Sequence, residues 1–189
     1  MPARTAILGI AGSLRRGSYN TALLKAAQSL AGPDVELEAA TLHGIPLYDG
    51  DAEERDGIPE AVTALKERIT ASDGMLLVTP EYNNSLPGVL KNAVDWLSRP
   101  PKDIPKVFRD RPVAVIGATP GAFGTVLSQN AWHPVLRTLR MRPWFGGRLM
   151  VSRAGNVFGE NGELSDEDTR KKLEEFLAGF AAFIREHSK

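Results

Sequence analysis

The donor groups of this chain are densest in "GSLRRGSYN", residues 12–20, just after an apolar run. Gly12 and Gly17 have the spacing of a nucleoside-triphosphate loop, but Ser18 and Tyr19 stand where such a loop continues with Lys and Ser or Thr. What remains is a set of converging donors. There are hydroxyls at Ser13 and Ser18, an amide at Asn20, guanidinium groups at Arg15 and Arg16, and backbone N–H groups freed by the glycines. An Ala/Leu-rich helical pattern follows, so the loop leads into a helix N-terminus, where partial positive charge favours an anion. A bidentate arginine suits a terminal phosphate. A single monophosphate needs neither the lysine that reaches a γ-phosphate nor a hydroxyl on magnesium, so the loop reads as a mononucleotide site. A solvated strand-to-helix turn with two incidental arginines is the other reading of the same residues.

Two further loops offer polar groups. "TPEYNNSLPG" (79–88) supplies Glu81, Tyr82, Asn83, Asn84 and Ser85 after Pro80, enough to hydrogen-bond the edge of a planar heterocycle and cover part of its face. A helix-capping turn, with Ser85 as the cap, explains it equally. "ATPGAFGT" (118–125) is glycine-rich and permits close backbone approach, though an ordinary turn accounts for it too.

These loops must be held by a frame, and the pattern of apolar residues names one. Short apolar runs at 4–11, 74–79, 112–118 and 148–152, with an alternating segment at 34–42, read as five strands. Helical spacing predicts helices over 20–31, 58–72, 85–97, 123–140 and 165–184. Pro134 marks a break in the fourth of these, and Ser165 with Asp168 forms a capping-box-like pair at the start of the fifth. Strand and helix alternate, so the expected fold is one α/β domain over 1–189 with a doubly wound parallel sheet. The stretches at 43–57, 99–111 and 153–164 read as surface loops, including the acidic run at 51–56. Ligands of such sheets bind beyond the carboxyl ends of the strands, where the three polar loops fall.

Composition narrows the function. Lys plus Arg equals Asp plus Glu at 23 each, which argues against nucleic acid as a partner. There is no cysteine, so disulfides and thiolate metal sites are excluded. The three histidines have no metal-ligand spacing, and no hydrolase elbow is present. No apolar stretch approaches bilayer length and the N-terminus reads as a strand, so a cytoplasmic protein without a membrane partner is expected.

Together, "GSLRRGSYN", "IPLYD" (45–49) and "TPEYNNSLPGVLKNAVDWLSRP" (79–100) resemble the NADPH-dependent FMN reductases, a flavodoxin-like family that includes quinone- and chromate-reducing enzymes. The resemblance implies a three-layer sandwich with a five-stranded parallel sheet in the order 2-1-3-4-5. It implies non-covalent FMN, NADPH or NADH as hydride donor, and a homodimer or homotetramer. Carried onto this chain, Ser13, Leu14, Arg15, Ser18 and Asn20 would hold the FMN phosphate. Pro80, Glu81, Tyr82 and Asn83 would line the isoalloxazine ring, and Ala118, Thr119 and Gly121 would approach it from the third loop. The family's acceptors are small molecules: quinones, chromate, ferric complexes or azo dyes. The flavin does the electron chemistry, so no side chain is required as a nucleophile or base. Arg99 is either a solvated surface arginine, the favoured reading, or stands at the pocket mouth to attract the nicotinamide nucleotide's phosphates. The helix bearing Trp96 and Leu97 with the loop 99–111, and the segment 130–144, are candidate subunit interfaces, with core packing the other reading of their aromatics. A flavodoxin-type carrier, a non-flavin phosphate binder and a free-flavin reductase are the competing functions. The neutral charge weighs against the first, since flavodoxins are strongly acidic.

Overall fold

A computed structural model describes residues 4–187. Three apolar runs become the middle of a parallel sheet: β1 (Thr5–Ala11), β3 (Gly74–Val78) and β4 (Pro112–Ala118). β2 (Val35–Ala40) lies at one edge, where only Leu37 and Ala40 of its side chains are buried. The order is β2-β1-β3-β4-β5, as the resemblance implies, and every pairing is parallel.

The far edge departs from the five-strand expectation. Two short strands share it: β5 (Arg142–Pro143), beside Pro112 and Val113, and β6 (Met150–Val151), beside Gly117 and Ala118. Between them the chain leaves the sheet so that Trp144 can pack edge-on against Phe176, with ring centroids 4.8 Å apart. Glycine is needed here. A Cβ on Gly147 would lie 2.7 Å from the Trp144 ring.

Helices cover both faces. On one side lie α1 (Tyr19–Leu30) and α7 (Glu167–His187), whose Leu23, Leu173, Phe176 and Phe180 pack with Ile7, Leu76 and Ile116. On the other lie α3 (Glu60–Ala71), α4 (Gly88–Leu97) and α6 (Val126–Thr138), whose Leu65, Leu90, Trp96 and Trp132 pack with Leu8, Leu77 and Val113. Each such side chain, fully buried, contributes about 1.5–3 kcal/mol. Trp96 and Leu97 belong to this core at 1% exposure each, and so does Trp132 at 0%. The aromatic residues left in the open are Tyr48, Tyr82, Phe123 and Phe145.

Local signals differ from the sequence reading in four places. The acidic run forms a helix, α2 (Gly50–Asp56), capped by Asp49 and with no buried residue, so it has no apolar stripe to read. The stretch 99–111 contains a single turn of helix, α5 (Ile104–Val107). Pro134 sits inside an unbroken α6. Asp166, two residues before Asp168, caps α7 by accepting from the Thr169 amide at 2.8 Å, while Ser165 turns to the Val157 carbonyl.

Candidate functional site

The loop after β1 is a turn whose donors are largely unspent. The Ser18 amide donates to the Arg15 carbonyl at 3.2 Å, which folds residues 15–18 into a compact curl. Ser18 Oγ caps α1, accepting from the amides of Asn20 at 3.2 Å and Thr21 at 3.4 Å. Its own proton remains free to donate. The amides of Leu14, Arg16 and Gly17 donate to no acceptor among the described residues. The first turn of α1 carries no acidic residue, so its positive end is not neutralised from within. Arg15 lies over the Tyr19 ring, 5.9 Å from its centroid. Three free amides, two serine hydroxyls and a guanidinium suit an anion with several oxygens.

Asn20 has a different task. Its side chain is buried and pairs with both backbone groups of Ala118, donating to the carbonyl at 2.9 Å and accepting from the amide at 2.9 Å. It ties α1 to the end of β4.

The loop after β3 closes on itself as a hairpin. Tyr82 and Ser85 exchange amide hydrogen bonds at 3.1 and 3.0 Å across Asn83 and Asn84. Both asparagines have positive φ, 50° and 60°, the pattern of a type I′ hairpin turn. Ser85 is therefore part of the turn and does not cap α4, which starts behind Pro87 without a side-chain cap. The Tyr82 hydroxyl donates to Ser13 Oγ at 3.3 Å and bridges the first two loops. Close approach requires Gly12, where a Cβ would stand 2.9 Å from Pro80 Cδ. Glu81 Oε2 accepts from the amides of Leu127 and Ser128 at 2.9 and 3.1 Å. Beneath it, the fully buried Thr79 hydroxyl accepts from Trp132 Nε1 at 3.0 Å and shares a 2.8 Å hydrogen bond with Ser128.

The three loops meet at a cavity of about 90 Å³, lined by Ser13, Arg15, Ser18, Asn20, Pro80, Glu81, Tyr82, Ala118 and Thr119. That volume equals the liquid share of about three waters, the scale of a phosphoryl group and not of a whole mononucleotide. Leu14 projects at the loop tip with 41% exposure. Asn83 and Gly121 stand outside the lining, and the Gly121 carbonyl accepts from Arg153 at 2.9 Å. Larger hollows lie elsewhere. One of about 230 Å³ sits between α6 and the split edge, and one of about 490 Å³ runs along α1 beside residues 155–162. Neither gathers donors from all three loops.

"IPLYD" forms a brace. The Pro46 carbonyl accepts from Trp96 Nε1 at 2.9 Å and from Asn92 at 2.8 Å, and the Tyr48 amide donates to Asn92 at 2.8 Å. Arg99 and the Tyr48 hydroxyl both donate to Glu53, at 2.8 and 2.9 Å. The Arg99 hydrogen bond holds the Glu53 carboxyl below its usual range, and the bond to Glu53 raises the Tyr48 phenol. Arg99 is thus paired, not free at a pocket mouth.

The family model for NADPH-dependent FMN reductases matches residues 5–156. An NAD(P)H-dependent FMN reductase of Pseudomonas aeruginosa is 42% identical over 95% of each chain. A 2-hydroxy-1,4-benzoquinone reductase of a Burkholderia species is 39% identical over 94% of each. Among solved structures, FerB, a flavoenzyme NAD(P)H:acceptor oxidoreductase of Paracoccus denitrificans, superposes with a TM-score of 0.84 at 34% identity, covering 97% of this chain and 98% of its own. The chain belongs to the NADPH-dependent FMN reductase family and has its flavodoxin-like fold.

Proposed function

We propose that this oxidoreductase moves a hydride from NADPH or NADH to a quinone, using FMN held without a covalent bond where the three loops meet. The observation that carries the placement is the β1–α1 loop, whose Ser13, Arg15 and Ser18 line the small cavity while its amides at Leu14, Arg16 and Gly17 have no acceptor among the described residues. The amides of Leu14, Arg16 and Gly17, the hydroxyls of Ser13 and Ser18 and the Arg15 guanidinium hold the phosphate. Pro80, Tyr82 and Asn83 form the wall on the ring side. Ala118, Thr119 and Gly121 approach through backbone, since the Thr119 side chain already accepts from the Gly121 amide at 3.4 Å. Asn20 and Glu81 contribute by fastening these loops to β4 and α6.

FMN held by these loops would supply the hydride-transfer chemistry between nicotinamide and acceptor. The protein's residues bind and orient. None is required as a nucleophile or general base, and backbone amides stabilise the charge that develops. The Burkholderia relative's name supports a quinone as acceptor. Chromate, ferric complexes and azo dyes are further candidate acceptors of the same site. We place the protein in the cytoplasm as a homodimer or homotetramer in which residues 1–189 act as one domain. Among the described residues no helix is long and apolar enough to cross a membrane.

Anaerobic mixing of the FMN-loaded protein with NADPH tests the reading. Prompt bleaching of flavin absorbance near about 450 nm, reversed by benzoquinone, is expected. Bound flavin that stays oxidised would make the protein an electron carrier instead.

A further inference from the structure

Glu81 lines the cavity, yet its carboxylate is tied to the helix behind. α6 begins with a defect. The Thr125 hydroxyl accepts from Gln129 Nε2 and caps none of the helix's first amides, and its first turn has no acidic residue. Unpaired amides and uncompensated positive potential would otherwise remain at that helix end. Glu81 meets both needs from 46 positions away, through Leu127 and Ser128. The residues around it cannot easily shift. Thr79, two positions earlier, is locked to Ser128 and Trp132, and Tyr82, the next residue, reaches Ser13. The carboxylate is therefore held against the start of α6, on a residue that lines the cavity. The cation lining the same cavity, Arg15, lies on the opposite loop.

We infer that Glu81 is a positioning residue that lowers the redox potential of the bound flavin, by fixing a carboxylate against the end of α6 beside the ring. The inference rests on the ring placement proposed above. Reduction of a flavin adds negative charge to its ring, and a fixed carboxylate nearby opposes that addition. The free end of α6 would favour it, and Glu81 cancels that help.

Glu81→Gln separates charge from structure. Its amide oxygen still accepts from the two α6 amides, while the charge is gone. Glu81→Ala removes both. FMN-loaded wild type, E81Q and E81A are equilibrated without oxygen against a reference dye of known potential. In E81Q the ratio of reduced to oxidised flavin at a fixed dye potential rises about threefold or more. The melting temperature of flavin-free E81Q stays nearer the wild type than that of E81A. An E81Q that binds FMN with an unchanged ratio reduces Glu81 to a helix cap and overturns the inference alone. A wild type that takes up no FMN overturns the site reading and the inference together.

Discussion

The loops after β1 and β3 leave the carboxyl ends of neighbouring parallel strands, yet they use their polar groups differently. The first keeps amides at Leu14, Arg16 and Gly17 without acceptors. The second commits its large side chains and its turn inside the protein, Glu81 on α6, Tyr82 on Ser13, and the backbone of Tyr82 and Ser85 on each other, and leaves Asn83 and Asn84 at the exposed tip. A polar group left unpaired costs stability unless water or a ligand completes it. The first loop therefore reads as a place where a ligand completes the structure, and the second as a wall built before the ligand arrives. Damage to the wall should appear as lost stability, and damage to the cradle as lost affinity.

The largest expected effect is on the wall. Thr79→Val is nearly isosteric but strips the partner from buried Trp132 Nε1 and from Ser128. It should destabilise the flavin-free protein by about 3 kcal/mol, measured by urea denaturation. A normal midpoint would show the network to be dispensable. Next comes the cradle. Arg15→Ala should weaken FMN binding by about 1–3 kcal/mol in a fluorescence titration, with the melting temperature of the flavin-free protein unchanged. Equal losses of stability and affinity would erase the contrast between the loops.

The smallest effect lies away from both loops. The nearly buried Lys66 donates to Asp103 at 2.8 Å and to the Arg99 carbonyl, and its hydrogen bond holds the Asp103 carboxyl below the usual range. A carboxylate with a depressed folded pKa adds stability above its unfolded value, about 3.9, and loses it as pH falls through the lower folded value. Melting temperature should thus decline on acidification below about pH 4, and Asp103→Asn should make that decline shallower without changing FMN affinity at pH 7. An identical acid limb in both proteins would show that the pair contributes nothing.

Much of this was legible along the chain. Uninterrupted apolar runs mark β1, β3 and β4, because strands covered on both faces need apolar side chains throughout. The serines and arginines of 13–18 suggest the proposed anion site because they lie within one turn of each other. Long-range bonds are another matter. Asn20 reads as a ligand group, yet its partner is Ala118, 98 residues on. Glu81 reads as part of the ring wall, yet its acceptor role serves α6. No local pattern encodes such pairings. α2 escaped notice because it buries nothing. The Asn83–Asn84 turn was readable, since adjacent asparagines tolerate the positive φ of a type I′ turn. The competing cap at Ser85 masked it.

The central claim is that the loop after β1 grips a phosphate. Parallel titrations of the flavin-free protein with FMN and with riboflavin, which differ only in that phosphate, test it most directly. FMN should bind about 100-fold or more tightly than riboflavin, the scale of two or more charge-assisted hydrogen bonds. Equal affinities would contradict the account.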